Sequence, residues 1–221
     1  QGGRPLAVLL CDDQGDPAVG VRAARHLVDA AAVPAIVGAA FSRVTTQIAQ
    51  EVTIPADTLL ISPASTAVEI SHLNDNSLVW RTVPPDSRQG DTMAHFATWE
   101  ILQVAGVSEE GVASASTAAV NVALVYPDDV YGNGLASYFE DSVRLSLELR
   151  LGAVSGLDLG SDGLELQWSS LEHVPGDATS MTSAAVEVVA LNPDVVLLVG
   201  YDESTAVLGE ILSTEDLRAS T

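Results

Sequence analysis

Short apolar runs alternate along this chain with longer segments in which apolar residues recur every three or four positions. The first run, residues 6–11, is continuously apolar, which is typical of a strand buried on both faces in a parallel sheet. Residues 18–32 follow it with the periodicity of an amphipathic helix. A chain that repeats this order is predicted to have an α/β fold, in which helices cover both faces of parallel sheets.

The same pattern predicts the later elements. Strands are expected at residues 35–37, 59–61, 78–82, 120–126, 152–157 and 195–199. Helices are expected at residues 42–52, 86–104, 135–148, 179–191 and 204–217, whereas the polar stretch that contains Trp168 and His173 is assigned neither. Because the alternation stops at Pro84-Pro85 and then starts afresh, we predict two doubly wound lobes, residues 1–84 and 85–221, with an exposed loop at 106–119.

The charge balance restricts the classes of partner. The 221 residues include 30 acidic and nine basic side chains, all nine of them Arg, which gives a formal net charge of −21. A surface this acidic repels phosphates, so nucleic acid and anionic membranes are not expected as partners. The chain has no Lys for Schiff-base or phosphate-loop chemistry, and it contains no G-x-S-x-G, G-x-G-x-x-G or H-E-x-x-H motif. We therefore predict that the protein is not an enzyme and needs no cofactor.

Several side chains that could act in catalysis or metal binding also fit purely structural roles. Cys11 lies in the first apolar run without a neighbouring cation, so it is predicted to be a buried structural thiol. The four histidines lack metal-ligand spacing and are assigned to the core or the surface. Asp12, Asp13 and Asp16 fit either turn and helix-cap roles or a metal cluster in a hydrolase or receiver-like domain.

Two turns after predicted strands contain candidate binding groups. The first turn runs through small residues to Ser42, whose oxygen suits an N-cap that accepts a bond from an amide two or three residues further on. The second turn contains Ala64, Ser65 and Thr66. Because the carboxyl ends of parallel strands meet at one edge of a sheet, the three hydroxyls could surround a ligand carboxylate, leaving the Ala64 carbonyl for an ammonium. The alternative is a pair of ordinary turns with a serine cap.

Tyr131 and Tyr201 follow two strand ends in the second predicted lobe. Tyrosine combines an apolar ring face with a polar tip, which suits a cover over a small amphiphilic ligand. Each tyrosine taken alone is equally consistent with a residue at the boundary of the core.

Five short motifs follow one another along the chain. They are Asp12-Asp13-Gln14-Gly15-Asp16-Pro17, Val37-Gly38…Ser42, Ile61-Ser62-Pro63-Ala64-Ser65-Thr66, Arg81-Thr82…Pro85-Asp86…Gln89-Gly90 and Tyr131-Gly132…Gly134. Their order is that of type I periplasmic binding proteins, and the chain most resembles the leucine/isoleucine/valine-binding proteins of branched-chain amino-acid ABC transporters.

The resemblance implies two Rossmann-like doubly wound lobes, joined by a hinge, that close over an amino acid or a similar small amphiphile. It implies that the first lobe holds the carboxylate and ammonium of the ligand and that the second lobe closes over it with tyrosines. Relatives carry an acid beyond residue 221 that pairs with the ammonium, and Asp202 or Glu203 would replace it. The ligand-binding set implied for this chain is Ser42, Ala64, Ser65, Thr66, Tyr131, Tyr201 and Asp202.

The resemblance also implies a location and partners. It predicts a periplasmic or extracellular protein, with or without a lipid anchor, that delivers its ligand to an ABC transporter permease. The alternative is a sensor in which the same fold serves a signalling domain. Relatives have a strand and helix before Leu6 and return to the first lobe after Thr221, so an incomplete first lobe is expected. Its open sheet edges would then need a cover, such as a second copy of the chain.

Overall fold

Parallel sheets organise the chain, one in each of two units that comprise Gln1–Pro85 and Asp86–Thr221. The computed structural model describes residues 3, 6–108, 111–112, 119–153, 164–202 and 204–219. The predicted α/β class with parallel sheets is confirmed. Within the described residues, no helix combines the length and the hydropathy that crossing a bilayer requires.

The sheet of the first unit contains three short parallel strands in the order β1 (Ala35–Val37), β2 (Leu59–Ser62) and β3 (Val79–Arg81). Helix α1 (Pro17–Arg25) and helix α2 (Ser42–Ile48) each continue into a five-residue π-helical segment, His26–Ala30 and Ala49–Thr53. The side chains of α1, α2, β1 and β2 form one apolar cluster, in which Val44 and Leu60 are fully buried.

Residues 6–11 do not form the strand that their apolar pattern predicts. Leu6 and Leu10 are each 92% exposed, and Cys11 is exposed too, so the prediction of a buried thiol was also wrong. An apolar cavity of about 580 Å³ lies between this segment, α1 and β1. A continuous apolar run shows that a segment could be buried, but a strand also needs a neighbouring strand to pair with. In the described part of the chain, no strand pairs with residues 6–11.

The sheet of the second unit is built around the long strand β6. An antiparallel two-residue ladder between β4 (Val107–Ser108) and β5 (Gly111–Val112) precedes it, within the segment predicted to be a loop; residues 109–110 and 113–118 of that prediction lie outside the described residues. The sheet order is β7-β6-β8 with all strands parallel. Its strands are β6 (Ala119–Pro127), β7 (Glu165–His173) and β8 (Val195–Leu198).

Helices cover both faces of β6. Val122 and Leu124 belong to a cluster with α3 (Asp86–Val104) and α4 (Val130–Ala153), whereas Ala123 and Val125 belong to a cluster with α5 (Ala178–Leu191) and α6 (Ser204–Ala219). All four of these β6 residues are at most 1% exposed. The continuous apolar run of β6 therefore reflects burial on two sides.

Two predictions in the second unit were wrong. Residues 165–173, assigned no strand, form β7, because an edge strand keeps many polar side chains half-exposed and so lacks a continuous apolar run. Gly152 and Ala153, predicted to begin a strand, are the last residues of α4, and residues 154–157 lie outside the described residues. The apolar residues before Gly152 continue the helix instead of starting a new element.

Two helical glycines give a test of this packing. At Gly132 in α4, a Cβ would overlap the carbonyl oxygen of Pro127, whereas at Gly209 in α6 a Cβ would meet nothing within 4 Å. We expect Gly132→Ala to lower the free energy of unfolding by about 1–3 kcal/mol through overpacking. The matched control Gly209→Ala should raise it by about 0.5–1 kcal/mol, because alanine is the better helix former. Urea unfolding would measure both, and equal effects of the two changes would contradict this packing of α4 on β6.

Candidate functional site

The turns after β1 and β2 lie side by side at the carboxyl edge of the first sheet. Val37 pairs with Ile61 across the two strands, and Gly38 N–H donates to the Ile61 carbonyl at 2.9 Å. The Ser42 hydroxyl oxygen accepts the backbone N–H groups of Thr66 and Ala67, each at 3.2 Å. The two turns therefore form one hydrogen-bonded unit.

The predicted N-cap role of Ser42 was wrong. Helix α2 begins at Ser42 itself, and the N-cap position is Phe41, which has extended backbone angles. Ser42 is only 3% exposed, and its oxygen accepts amides from the neighbouring turn instead of from its own helix. The presence of a serine shows only that a hydroxyl oxygen is available near the start of the helix. The N–H that bonds to it belongs to Thr66, which is 24 residues away in the sequence.

Buried hydroxyls join the same two turns a second time. The Ala39 carbonyl lies within hydrogen-bonding distance of the hydroxyls of Ser62 (2.7 Å), Thr45 (3.1 Å) and Ser65 (3.3 Å). Thr45 Oγ1 and Ser65 Oγ are themselves 2.7 Å apart. All three hydroxyl residues are at most 1% exposed. The Ser65 side chain, predicted to face a ligand, thus forms part of the support beneath the turn.

Ala64 and Thr66 remain at the surface of this turn. Ala64 is exposed and Thr66 half-buried, and the Thr66 N–H donates to Ser42 Oγ at 3.2 Å. The Ala64 N–H donates to Ser62 Oγ at 3.3 Å, which fixes the peptide plane at its amino side. Of the first-unit residues in the predicted set, these two therefore have groups facing solvent.

Arg43 connects the candidate site to the turn at residues 12–16, a contact that none of the motifs predicts. Its guanidinium lies over the Phe41 ring at 4.8 Å from the centroid and donates to the Gly15 carbonyl at 3.0 Å. Nothing in the local sequence pattern of Arg43 shows this contact, because its partner is 28 residues away.

The three aspartates of that turn bond to nearby backbone amides. Asp12 accepts the Gln14 N–H and Asp13 the Gly15 N–H, both at 2.8 Å, and Asp16 accepts the Val19 N–H as the N-cap of α1. These are the predicted turn and cap roles. Among the residues that the structure describes, no three His, Cys, Asp or Glu side chains are grouped to hold a metal ion.

In the second unit, Tyr131 and Tyr201 lie together at the carboxyl edge of the sheet. Their ring centroids are 5.2 Å apart with a tilt of 37°. The Tyr201 hydroxyl donates to Asp129 Oδ2 at 2.7 Å, and Asp129 Oδ1 accepts the Gly132 N–H at 2.9 Å. Asp129 therefore joins the turn after β8 to the start of α4. This role of Asp129 was not predicted, although an Asp three residues before a helical amide is a recognisable cap signal.

The environment shifts the ionisation of two tyrosines. Burial raises the pKa of Tyr131, and the negative charges of Asp86 and Asp129 add to this effect, while a hydrogen bond from the Gln89 side chain opposes it. For Tyr126 at the end of β6, burial and a hydrogen bond to Glu172 raise the pKa to about 12.

Asp202 lies exposed in the turn between β8 and α6, where its carbonyl accepts the Thr205 hydroxyl at 2.9 Å. The alternative residue, Glu203, lies outside the described residues. The structure thus groups Ser42, Ala64, Ser65 and Thr66 in the first unit and Tyr131 with Tyr201 in the second.

The parallel-sheet fold and the comparison with family models together identify the chain as a type I periplasmic binding protein. The model of the family described as "Periplasmic binding protein" matches residues 1–154, and the chain belongs to that family. Over 217 residues it is 26% identical to BasB of Halobacterium salinarum, a chemotactic signal transduction system substrate-binding protein. That match covers 96% of this chain and 44% of BasB.

Solved structures show the same fold. The leucine-binding protein LivK of Thermotoga maritima has a TM-score of 0.68 at 22% identity, covering 93% of this chain and 48% of LivK. An ABC transporter substrate-binding protein from Desulfitobacterium hafniense, solved with Leu, has a TM-score of 0.60 at 20% identity, covering 96% of this chain and 52% of that protein. The chain spans about half the length of these relatives.

The tyrosine environments give a measurable expectation. Since burial and Glu172 raise the pKa of Tyr126 to about 12, Tyr126 should ionise near that pH in a ¹³C NMR titration of the tyrosine rings. Its unfolded pKa is about 10. The stability it contributes is therefore complete below pH 10 and is lost as the pH rises towards 12. Glu172→Gln should lower the Tyr126 midpoint, and Tyr138→Phe, at a more exposed ring, should not. A midpoint near the unfolded value would contradict the Tyr126–Glu172 contact.

Proposed function

We propose that this chain is the ligand-binding part of a solute-binding protein for an amino acid or a similar small amphiphile. It acts in the periplasm or outside the cell and catalyses no reaction. The observation that carries the proposal is the joined pair of turns at the carboxyl edge of the first sheet, where buried hydroxyls hold exposed polar groups in fixed positions.

The first unit supplies donors for a carboxylate. The Ser42 oxygen accepts two amides, so its two lone pairs are engaged and its single O–H proton is the group left to donate. The Thr66 hydroxyl lies on the same turn and supplies a second donor, while the Ala64 carbonyl suits an ammonium. Hydrogen bonds to a charged carboxylate are roughly twice as strong as neutral ones, so a few of them suffice for a small ligand. Ser65 then acts as a support and not as a direct contact.

The second unit supplies groups that favour a positive charge. The faces of Tyr131 and Tyr201 attract cations, and the Asp129 carboxylate lies against the Tyr201 hydroxyl. Asp202, exposed in the next turn, adds a further negative charge. An amino acid has both a carboxylate and an ammonium, so each unit, taken by itself, offers groups that suit one end of such a ligand.

Delivery to an ABC transporter permease is the role we propose for the whole protein. The second candidate is ligand sensing, and a specific observation favours it: BasB is a substrate-binding protein of a chemotactic signal transduction system. The two roles need the same ligand-binding groups and differ in the partner, which is a permease in one case and a signalling protein in the other.

A thermal-shift screen of the full-length protein against the common amino acids tests the ligand class. At least one of them should stabilise the protein, and calorimetry of that ligand should then show weaker binding for Thr66→Val, by about 1–3 kcal/mol. The free energy of unfolding without ligand should stay unchanged. Thr92→Val, at an exposed threonine whose hydroxyl bonds within its own helix, is the matched control. If no amino acid stabilised the protein, the proposed ligand class would be wrong.

Ser42→Ala is a less specific probe than Thr66→Val. Its oxygen is buried and accepts two amides, so its removal should weaken both the fold and ligand binding. A loss of binding with unchanged stability would contradict the structural role that we assign to the Ser42 oxygen.

We also propose that a second copy of the chain covers the open side of the first sheet. Among the described strands β1 pairs only with β2, and Val37 on β1 is 77% exposed. The apolar cavity between β1 and residues 6–11 adds exposed apolar surface beside this edge. An unpaired strand edge next to apolar surface favours pairing with another chain.

Sedimentation at several salt concentrations tests the association. Two copies with a formal charge of −21 each repel at low salt, so the dimer fraction should rise towards about 1 M NaCl, where the screening length is short. Val37→Asp should abolish the dimer, and Leu145→Asp, at a 57% exposed leucine of α4, should not. A monomer at every salt concentration, or equal effects of the two variants, would rule out this interface.

A further inference from the structure

His173, the last residue of β7, is buried in a way that the proposed function does not use. It is 1% exposed, and neither ring nitrogen has a hydrogen-bond partner among the described residues. A neutral imidazole has one N–H donor and one acceptor nitrogen, and burial of both without partners is unfavourable. Such a side chain requires a polar partner that occupies little space.

Ser204, the first residue of α6, provides the matching group. Its Oγ is also buried, and it also has no hydrogen-bond partner among the described residues. A Cβ built on Gly200 would overlap Ser204 Oγ and lie 4.0 Å from His173 Nε2, so both unpaired groups border the same small volume beside Gly200. One water molecule with two hydrogen bonds of about 2.8 Å joins atoms separated by about 4–5.5 Å. A single water in the volume that both unpaired groups border would satisfy Ser204 Oγ and His173 Nε2 together.

We propose that one buried water molecule links His173 Nε2 to Ser204 Oγ and that this link positions Tyr201. The Ser204 N–H already donates to the Tyr201 carbonyl at 3.1 Å, so whatever fixes Ser204 also fixes the backbone of Tyr201. The Tyr201 hydroxyl is held separately by Asp129. Tyr201 is thus anchored at both ends, by Asp129 at its hydroxyl and by the His173–water–Ser204 link at its backbone.

Gly200 is what allows this arrangement. Any side chain at position 200 would overlap Ser204 Oγ, which would push the start of α6 away from His173. The link also joins the ends of two strands that do not pair with each other, since β7 and β8 lie on opposite sides of β6. His173 and Ser204 are therefore positioning residues that act on Tyr201 across the sheet edge.

The test uses the ligand-free chain, so its result does not depend on the proposed ligand. In NMR spectra of ¹⁵N-histidine-labelled protein, we expect a slowly exchanging ring N–H at His173 with a cross-peak to bound water. Ser204→Ala should accelerate its exchange by about tenfold or more, as expected for the loss of one hydrogen bond. Ser213→Ala, at an exposed hydroxyl of the same helix that bonds to the Glu210 carbonyl, is the matched control and should have no effect.

A second readout follows the position of Tyr201. In protein labelled with fluorotyrosine, the ¹⁹F signal of Tyr201, assigned with Tyr201→Phe, should shift in Ser204→Ala and in His173→Phe. It should return towards its original position in Ser204→Thr and His173→Gln, which retain hydrogen-bonding groups. Two results would overturn the proposal: a His173 ring N–H that exchanges at the same rate with and without the Ser204 hydroxyl, or conservative variants that behave like the apolar ones. A direct His173–Ser204 bond in a crystal structure would overturn the water link.

Discussion

The hydrogen bonds between the turn after β1 and the turn after β2 determine what the first sheet can present to a ligand. The Ala39 carbonyl, at the end of β1, lies within bonding distance of three hydroxyls, and Ser42 accepts two amides of the facing turn. The groups that make these bonds are buried. In the proposed site, the groups that would contact the ligand are the Thr66 hydroxyl, the Ala64 carbonyl and the Ser42 O–H, and these hydrogen bonds fix their positions. A small polar ligand gains from such preorganisation, because less conformational entropy is lost on binding.

The second unit reaches a comparable rigidity by a different route. Its central strand β6 has nine residues and is buried on both faces, so the sheet itself is well supported. The two tyrosine-bearing turns are then joined by one carboxylate, that of Asp129, which accepts an amide and a hydroxyl at once. A charged acceptor makes stronger hydrogen bonds than a neutral one, so a single residue can serve two turns.

A strand or helix was predictable from the sequence where its burial in the fold requires a recognisable pattern of apolar residues in the same segment. Strand β6 is apolar throughout because helices cover both of its faces, and it was predicted within a residue of its ends. Edge strand β7 lacks that signature. Residues 6–11 have the same continuous apolar pattern but do not pair as a strand. The hydropathy of a segment shows that it could be buried and does not show whether a neighbouring strand is present.

Site residues were predictable by type and place but not by bonding partner. Tyr131 and Tyr201 were found from their positions after strands, yet the Asp129 contact joins residues 72 positions apart. Ser42 likewise was found as an oxygen near a helix start, and its actual donors come from the facing turn. The local sequence preferences of a residue do not show which distant group it will bond to, because the pairing of strands in the sheet brings such partners together.

A short edge strand of the first unit leads into the most connected residue of the candidate site. Strand β1 has three residues and, among the described strands, pairs on one side only, yet the carbonyl of Ala39, two residues after it, accepts the buried hydroxyls. The position of Ala39 is therefore maintained by side-chain bonds more than by the sheet. Anything that binds the folded form of this edge raises the free energy of opening it. A ligand at the turns and a cover on β1 would consequently stabilise the same segment, and each would favour the other through it.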